Sequence, residues 1–81
     1  MDFKKYLKLK ILFSKDKDRL GYYEHYKGGI YKILNLAYHT EDNDVLVLYK
    51  SEENDAIFAK PYHIFFSHTK DGIQRFKKID K

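Results

Sequence analysis

Hydrophobic and polar positions alternate with a period of two along most of this 81-residue chain. The longest such run, residues 30–38, puts Ile30, Lys32, Leu34, Leu36 and Tyr38 on one face and Tyr31, Ile33, Asn35 and Ala37 on the other. Both faces are largely apolar, which predicts a central strand covered on both sides. Residues 45–50 are a dense run of β-formers and predict a buried strand. Shorter strands are predicted over 22–27, 56–60, 65–69 and 73–79. Pro61 cannot donate to a sheet ladder, so the fourth of these runs stops there, and residues 62–65 are placed in a single helical turn.

Turn chemistry separates the runs. Gly28-Gly29 supplies a break where the backbone can take φ > 0. Thr40-Glu41-Asp42-Asn43-Asp44 and Ser51-Glu52-Glu53-Asn54-Asp55 are acidic turns whose side chains bond their own backbone. Lys70-Asp71-Gly72 is a hairpin turn. Residues 3–13 fit two patterns. Phe3, Tyr6, Leu7 and Ile11 suit a helix behind an Asp2 cap, whereas Leu7, Leu9, Ile11 and Phe13 alternate with Lys8, Lys10 and Leu12. The alternation favours a strand from Leu7 onward, followed by a charged linker over 14–19. Short strands, regular turns and no long helix predict an all-β fold: a small barrel of five to six short antiparallel strands over residues 21–81, with a basic N-terminal extension over residues 1–20.

Charge sharpens that division. Residues 1–19 carry seven basic and three acidic side chains, and residues 20–81 carry nine of each, so the whole net charge of +4 belongs to the extension. A neutral body with a basic arm argues less for nucleic-acid binding than a basic body does. Lysines on an edge strand also serve as a guard against edge-to-edge pairing. The absence of cysteine excludes disulfides and thiolate chemistry and suits the cytoplasm. Residues 1–13 lack the pattern of a signal peptide, and no membrane partner is expected. A core this small would gain from self-association, with the N-terminal extension as the contact.

Several ordered segments carry a family resemblance: Tyr23-Glu24-His25-Tyr26-Lys27-Gly28-Gly29-Ile30-Tyr31, Ala37-Tyr38-His39-Thr40-Glu41 and Val45-Leu46-Val47-Leu48-Tyr49. They continue with Phe58-Ala59-Lys60-Pro61, Phe65, Asp71-Gly72 and Arg75-Phe76. The set resembles the bacterial and phage family DUF1653 over roughly residues 21–79, which implies an SH3-like barrel and no assigned activity. The family usually shows tryptophan and arginine where this chain has Phe58 and Lys60. A lysine supplies a point charge in place of a planar fork.

The chemistry offered by the residues is that of binding. His25, His39, His63 and His68 form no metal-ligand spacing, so no metal or cofactor is expected. His25, His39 and Glu41 could exchange protons, but a barrel this small has little interior to exclude water, and no enzyme is expected. Lys27 before Gly28-Gly29 lacks the Walker pattern, although amides of such a turn can cradle an anion. Seven of the eight tyrosines fall in residues 22–62, more than a small core absorbs. Alternation sets Tyr23 on the same side as His25 and Lys27. A ring beside cationic tips can stack a base and hold its phosphate.

The sequence therefore points to a non-enzymatic module for a small anionic, nucleotide-like ligand. Tyr23 would stack, Lys27 and Lys60 would neutralise charge, and His25, His39 and Glu41 would read polar edges. In a phage, such a protein would sequester a host immune signal. The alternatives are an SH3-like module that docks a host protein and a nucleic-acid binder acting through the N-terminal lysines. The acidic turns at 41–44 and 52–55 disfavour a long polyanion.

Overall fold

The structure, a computed structural model, describes residues 3–15 and 20–80. Its elements in chain order are α1 (Phe3–Lys15), β1 (Tyr22–His25), β2 (Ile30–His39), β3 (Asp44–Ser51), β4 (Ile57–Pro61), α2 (Tyr62–Phe65) and β5 (Phe76–Ile79). The fold is all-β apart from these two helices. All strand pairs are antiparallel, in one five-stranded sheet of order β4-β3-β2-β1-β5. The last strand thus returns beside the first. β4 and β5 are the edges and do not pair with each other, so hydrogen bonds do not close the expected barrel. The two edges nevertheless meet through side chains, since Lys60 Nζ of β4 lies 5.2 Å from the ring centre of Phe76 on β5. The sheet is curled, and its inner face is the core.

The N-terminal segment is a helix where alternation favoured a strand. Among residues 3–15 only Ile11 is β-branched, and Lys and Leu, both good helix formers, fill most of the rest. Thirteen residues make a marginal helix alone. Packing completes it. Phe13 is buried between Tyr62 and Phe66, with ring centres 6.2 and 6.4 Å away. Phe3 and Tyr6 meet Tyr38 at 5.3 and 5.7 Å. The helical period turns Leu7 and Ile11 outward, at 44% and 54% exposure, where a strand would have set them beside Phe13. The Asp2 cap and most of the expected charged linker lie outside the described residues.

β2 also departs from strict alternation. Its register against β3 shifts between Ile33 and Asn35, which marks a bulge with one extra residue. The bulge reverses the phase, so Ile33 and Leu36 both face inward while Leu34 and Asn35 are exposed. The strand is central as expected but covered on the inner face alone. Lys10 of α1 uses the irregularity, since Nζ donates to Asn35 Oδ1 at 2.7 Å and to the Leu36 carbonyl at 3.4 Å. Asn35 Oδ1 also accepts the Leu36 amide at 2.8 Å.

Pro61 ends β4 as expected, and α2 occupies the residues expected of it. This turn delivers Phe65 to the centre of the core. Phe65 stacks on Phe76 with ring centres 4.0 Å apart and planes within 7°. Tyr49 of β3 meets both rings edge-on, at 5.2 and 5.5 Å. Residues 66–75 contribute an isolated bridge, His68 with Gln74, and a tight turn at Gly72 with φ 83°. The final strand therefore begins at Phe76, later than the alternation suggested.

Phe65 is fully buried. Phe65→Ala is expected to destabilise the domain by about 3–5 kcal/mol, the usual range for emptying a buried aromatic site. Urea denaturation checks this, and a loss below about 1 kcal/mol is the result a minor packing role would give.

Candidate functional site

Strand register assigns the inner face residue by residue. Tyr23 opposes Tyr31 and Lys78, His25 opposes Phe76, Ile33 opposes Tyr49, Tyr49 opposes Phe58, and Val47 opposes Lys60. One half of this face is covered by α1, which reaches Tyr38, and by α2. The other half carries His25, Tyr31, Tyr49, Phe58, Lys60 and Phe76. Phe58 is the open ring of this group, at 42% exposure, and Tyr31 lies 6.2 Å from it.

The turn after β1 orients the polar groups. Gly28 and Gly29 have φ of 108° and 89°, which side-chain-bearing residues rarely adopt. The His25 amide donates to the Gly29 carbonyl at 3.1 Å, and the Gly28 amide donates to the His25 carbonyl at 2.8 Å. The Lys27 amide donates to His25 Nδ1 at 3.2 Å. That bond makes Nδ1 an acceptor, so the neutral ring carries its proton on Nε2. The Tyr26 amide donates to the Arg75 carbonyl at 3.0 Å, which fixes Arg75 beside this turn. Arg75 Nε donates to Ser67 Oγ at 3.0 Å, and that hydroxyl donates to the Ile64 carbonyl at 2.7 Å. Ser67 thereby holds the guanidinium in one orientation.

Four basic side chains gather here. Burial lowers the His25 pKa from its ordinary value, and the positive charges of Lys60, Lys27 and Arg75 lower it further. Burial likewise lowers the Lys60 pKa, assisted by Arg75. Neither of the ion pairs seen among the described residues, His39–Asp42 and Lys50–Asp55, involves this group. Lys60 instead lies over the Phe76 ring, and Lys27 over Tyr26 at 5.7 Å. Ring faces attract cations but carry no charge to cancel theirs. Two surface hollows flank this region. One, of ≈ 400 Å³, shares His25, Tyr26 and Gly28 with the patch and has Glu24 and Lys77 among its other walls, so an anion entering it would meet a carboxylate. The other, of ≈ 650 Å³, lies by Leu20, Gly21 and Leu34. The cationic patch meets the first hollow at His25 and continues over Phe76 to Lys60, and that side, away from Glu24, is the better candidate for recognition of an anion.

The family comparison can now be set beside this geometry. The family model described as "Protein of unknown function (DUF1653)" matches residues 21–78. The chain belongs to the DUF1653 family. A crystal structure of a DUF1653 protein from Bordetella bronchiseptica is similar at 33% identity and a TM-score of 0.64, covering 75% of this chain and 86% of that one. No curated protein matches the chain. The match begins after α1, so that helix stands outside the DUF1653 portion.

Of the residues singled out from sequence, the DUF1653 fold brings His25, Lys27 and Lys60 together and separates the others. Tyr23 faces inward beside His25 as alternation required, but it is buried against Phe65 and Phe66 at 5.5 and 6.1 Å and presents no open ring for stacking. His39 and Glu41 sit at the β2–β3 turn, about 25 Å along β2 from Tyr31. There His39 Nδ1 meets Asp42 at 3.1 Å and Thr40 donates to Glu41 at 2.7 Å. Both satisfy turn groups, and a turn at the far end of the longest strand cannot reach the patch. Among the described residues no cluster of histidines and carboxylates could hold a metal ion. No helix among them is long and apolar enough to cross a membrane.

Arg75, Phe58 and Tyr31 were missed as site residues. Phe58 was legible, since it lies two residues from Lys60 on one strand and so shares its face. Arg75 was not, because its position depends on contacts with Ser67 and the Tyr26 amide.

Two outcomes test this geometry. A Cβ on Gly29 would stand 3.2 Å from the Tyr31 ring at a φ unfavourable to alanine. Gly29→Ala is therefore expected to cost about 1–2 kcal/mol in a denaturant melt. His25 sets a pH dependence. Between its depressed folded value and the ordinary 6.5, the unfolded chain binds more protons, so stability falls as pH drops through that window. The melting temperature of His25→Gln should decline less than that of the parent between pH 7.5 and 5.5. Parallel declines would assign the acid sensitivity to other groups.

Proposed function

We propose that the domain is a non-enzymatic binding module for a small anionic ligand with a flat, nucleotide-like ring. One observation carries this reading: Lys60, Arg75, His25 and Lys27 crowd together beside the exposed Phe58 ring, and neither ion pair seen among the described residues involves them. Gathering cations costs free energy in the empty protein, and an anion recovers it. Phe58 takes the stacking role first assigned to Tyr23, with Tyr31 behind it. A module of this kind acts by holding its ligand, as a sensor or a sequestering agent does.

The distribution of charge favours a small ligand over a polynucleotide. Phe3 and Tyr6 set the start of α1, with Lys4 and Lys5, against Tyr38 at the end of the sheet where Glu41, Asp42 and Asp44 also lie, and Lys10 is taken up at the β2 bulge, so these lysines stand apart from the patch. A protein partner has less support, because the patch concentrates charge and offers few large apolar anchors.

Thermal shift and calorimetry with a panel of nucleotides, dinucleotides and their nucleosides test the reading. An anionic member should raise the melting temperature. Lys60→Ala and Arg75→Ala should each weaken its binding about 10–100-fold, the range for losing one charge-assisted contact. Lys4→Gln with Lys8→Gln should leave it unchanged. The reading fails if no member binds, or if only the α1 variants matter.

A further inference from the structure

We propose that the anionic group received by this patch is a terminal phosphate monoester in its dianionic form, discriminated from monoanionic phosphodiesters. The inference rests on the small-anion reading above and adds the valence of the ligand to it.

Charge count is the first ground. Arg75, held at the turn by the Tyr26 amide, lies close enough to Lys60 and His25 for its charge to bear on both, and the Lys27 charge bears on His25. Lys60 Nζ and the His25 ring both sit against Phe76, at 5.2 and 4.8 Å from its centre, and Arg75 is the preceding residue on the chain. The opposite side of Phe76 is taken by Phe65, stacked at 4.0 Å, so these groups are gathered on the remaining side. A ligand with a single negative charge would leave the patch cationic. A dianion balances Lys60 and Arg75, the two cations nearest Phe76, and leaves Lys27 alone at the rim.

The second ground is the hydrogen-bonding inventory. Arg75 Nε is occupied by Ser67 Oγ, which leaves the terminal amines of the fork to donate. His25 Nδ1 is occupied by the Lys27 amide, which leaves Nε2–H to donate. Lys60 offers an ammonium. Every nitrogen left over in this set is a donor. A dianionic monoester presents three terminal oxygens that only accept. A diester presents two terminal oxygens and half the charge, so it leaves donors unmatched. The ring that the phosphate carries would lie toward Phe58, the exposed aromatic of the face.

Calorimetry on the full chain at pH 7.5 decides the matter. The probes are the 5′-monophosphates of the four common ribonucleosides, the nucleosides themselves, and the 3′,5′-cyclic monophosphates, which are diesters of single charge. At least one 5′-monophosphate should bind ~10-fold or more tighter than its cyclic counterpart. Lys60→Gln and Arg75→Gln should each reduce that preference to about threefold or less, with melting temperatures kept within a few degrees as the check on folding. A cyclic nucleotide or nucleoside that binds as tightly as the monophosphate overturns the dianion assignment while leaving the small-ligand reading intact. Failure of every probe to bind removes both. A preference that survives in both folded variants also overturns the assignment, since it would then arise outside Lys60 and Arg75.

Discussion

The stacked pair Phe65–Phe76 is the contact on which the rest of this small domain depends. One ring comes from the turn after β4 and the other from β5, the two edges that hydrogen bonds leave unjoined. A sheet with two free edges would lie open, with its inner face wetted along both margins. The stack, with Tyr49 edge-on to both rings, draws the edges together and dries the space between them. Dispersion and burial of aromatic surface thus replace the missing backbone ladder.

Closure by side chains has a consequence that closure by hydrogen bonds would not. Where the edges approach, the chain is free to place charged groups against ring faces, and here it places Lys60 over Phe76 with Arg75 alongside. The same seam that completes the core therefore creates the cationic patch. Burial lowers the proton affinity of His25 and Lys60, and nearby positive charge adds to it, from Lys60, Lys27 and Arg75 at His25 and from Arg75 at Lys60. Closure and charge burial compete at this seam, because Lys60, drawn inward to cover Phe76, brings its charge along. Ser67 moderates the conflict by holding Arg75 through Nε.

At the opposite end of the sheet, α1 does for the inner face what the aromatic stack does at the seam. Phe13 fills the space between Tyr62 and Phe66, and Lys10 takes up polar groups at the β2 bulge. The helix lies before the family match, so the DUF1653 portion in this chain carries an added cover over one half of its inner face. The cations lie in the other half, where Phe58 is the exposed ring.

What the sequence determined by itself is local. The strands expected over 22–27, 30–38, 45–50 and 56–60, the glycine and acidic turns between them and the helical turn after Pro61 all follow from side-chain period and backbone freedom within a few residues. Tyr23 and His25 shared a face for the same reason, as did Phe58 and Lys60. Three features needed distant partners. The N-terminal segment became a helix because Tyr38, Tyr62 and Phe66 complete a helical stripe, although its alternation favoured a strand from Leu7 onward. The bulge in β2 reversed which residues faced inward, and alternation by definition cannot register a skipped step. The site assembled from β1, β4 and residue 75, leaving His39 and Glu41 behind, because convergence in space is set by how the sheet curls. Periodicity tells each strand which way its side chains point, and only the closed packing of Phe65 on Phe76 decides which of them meet.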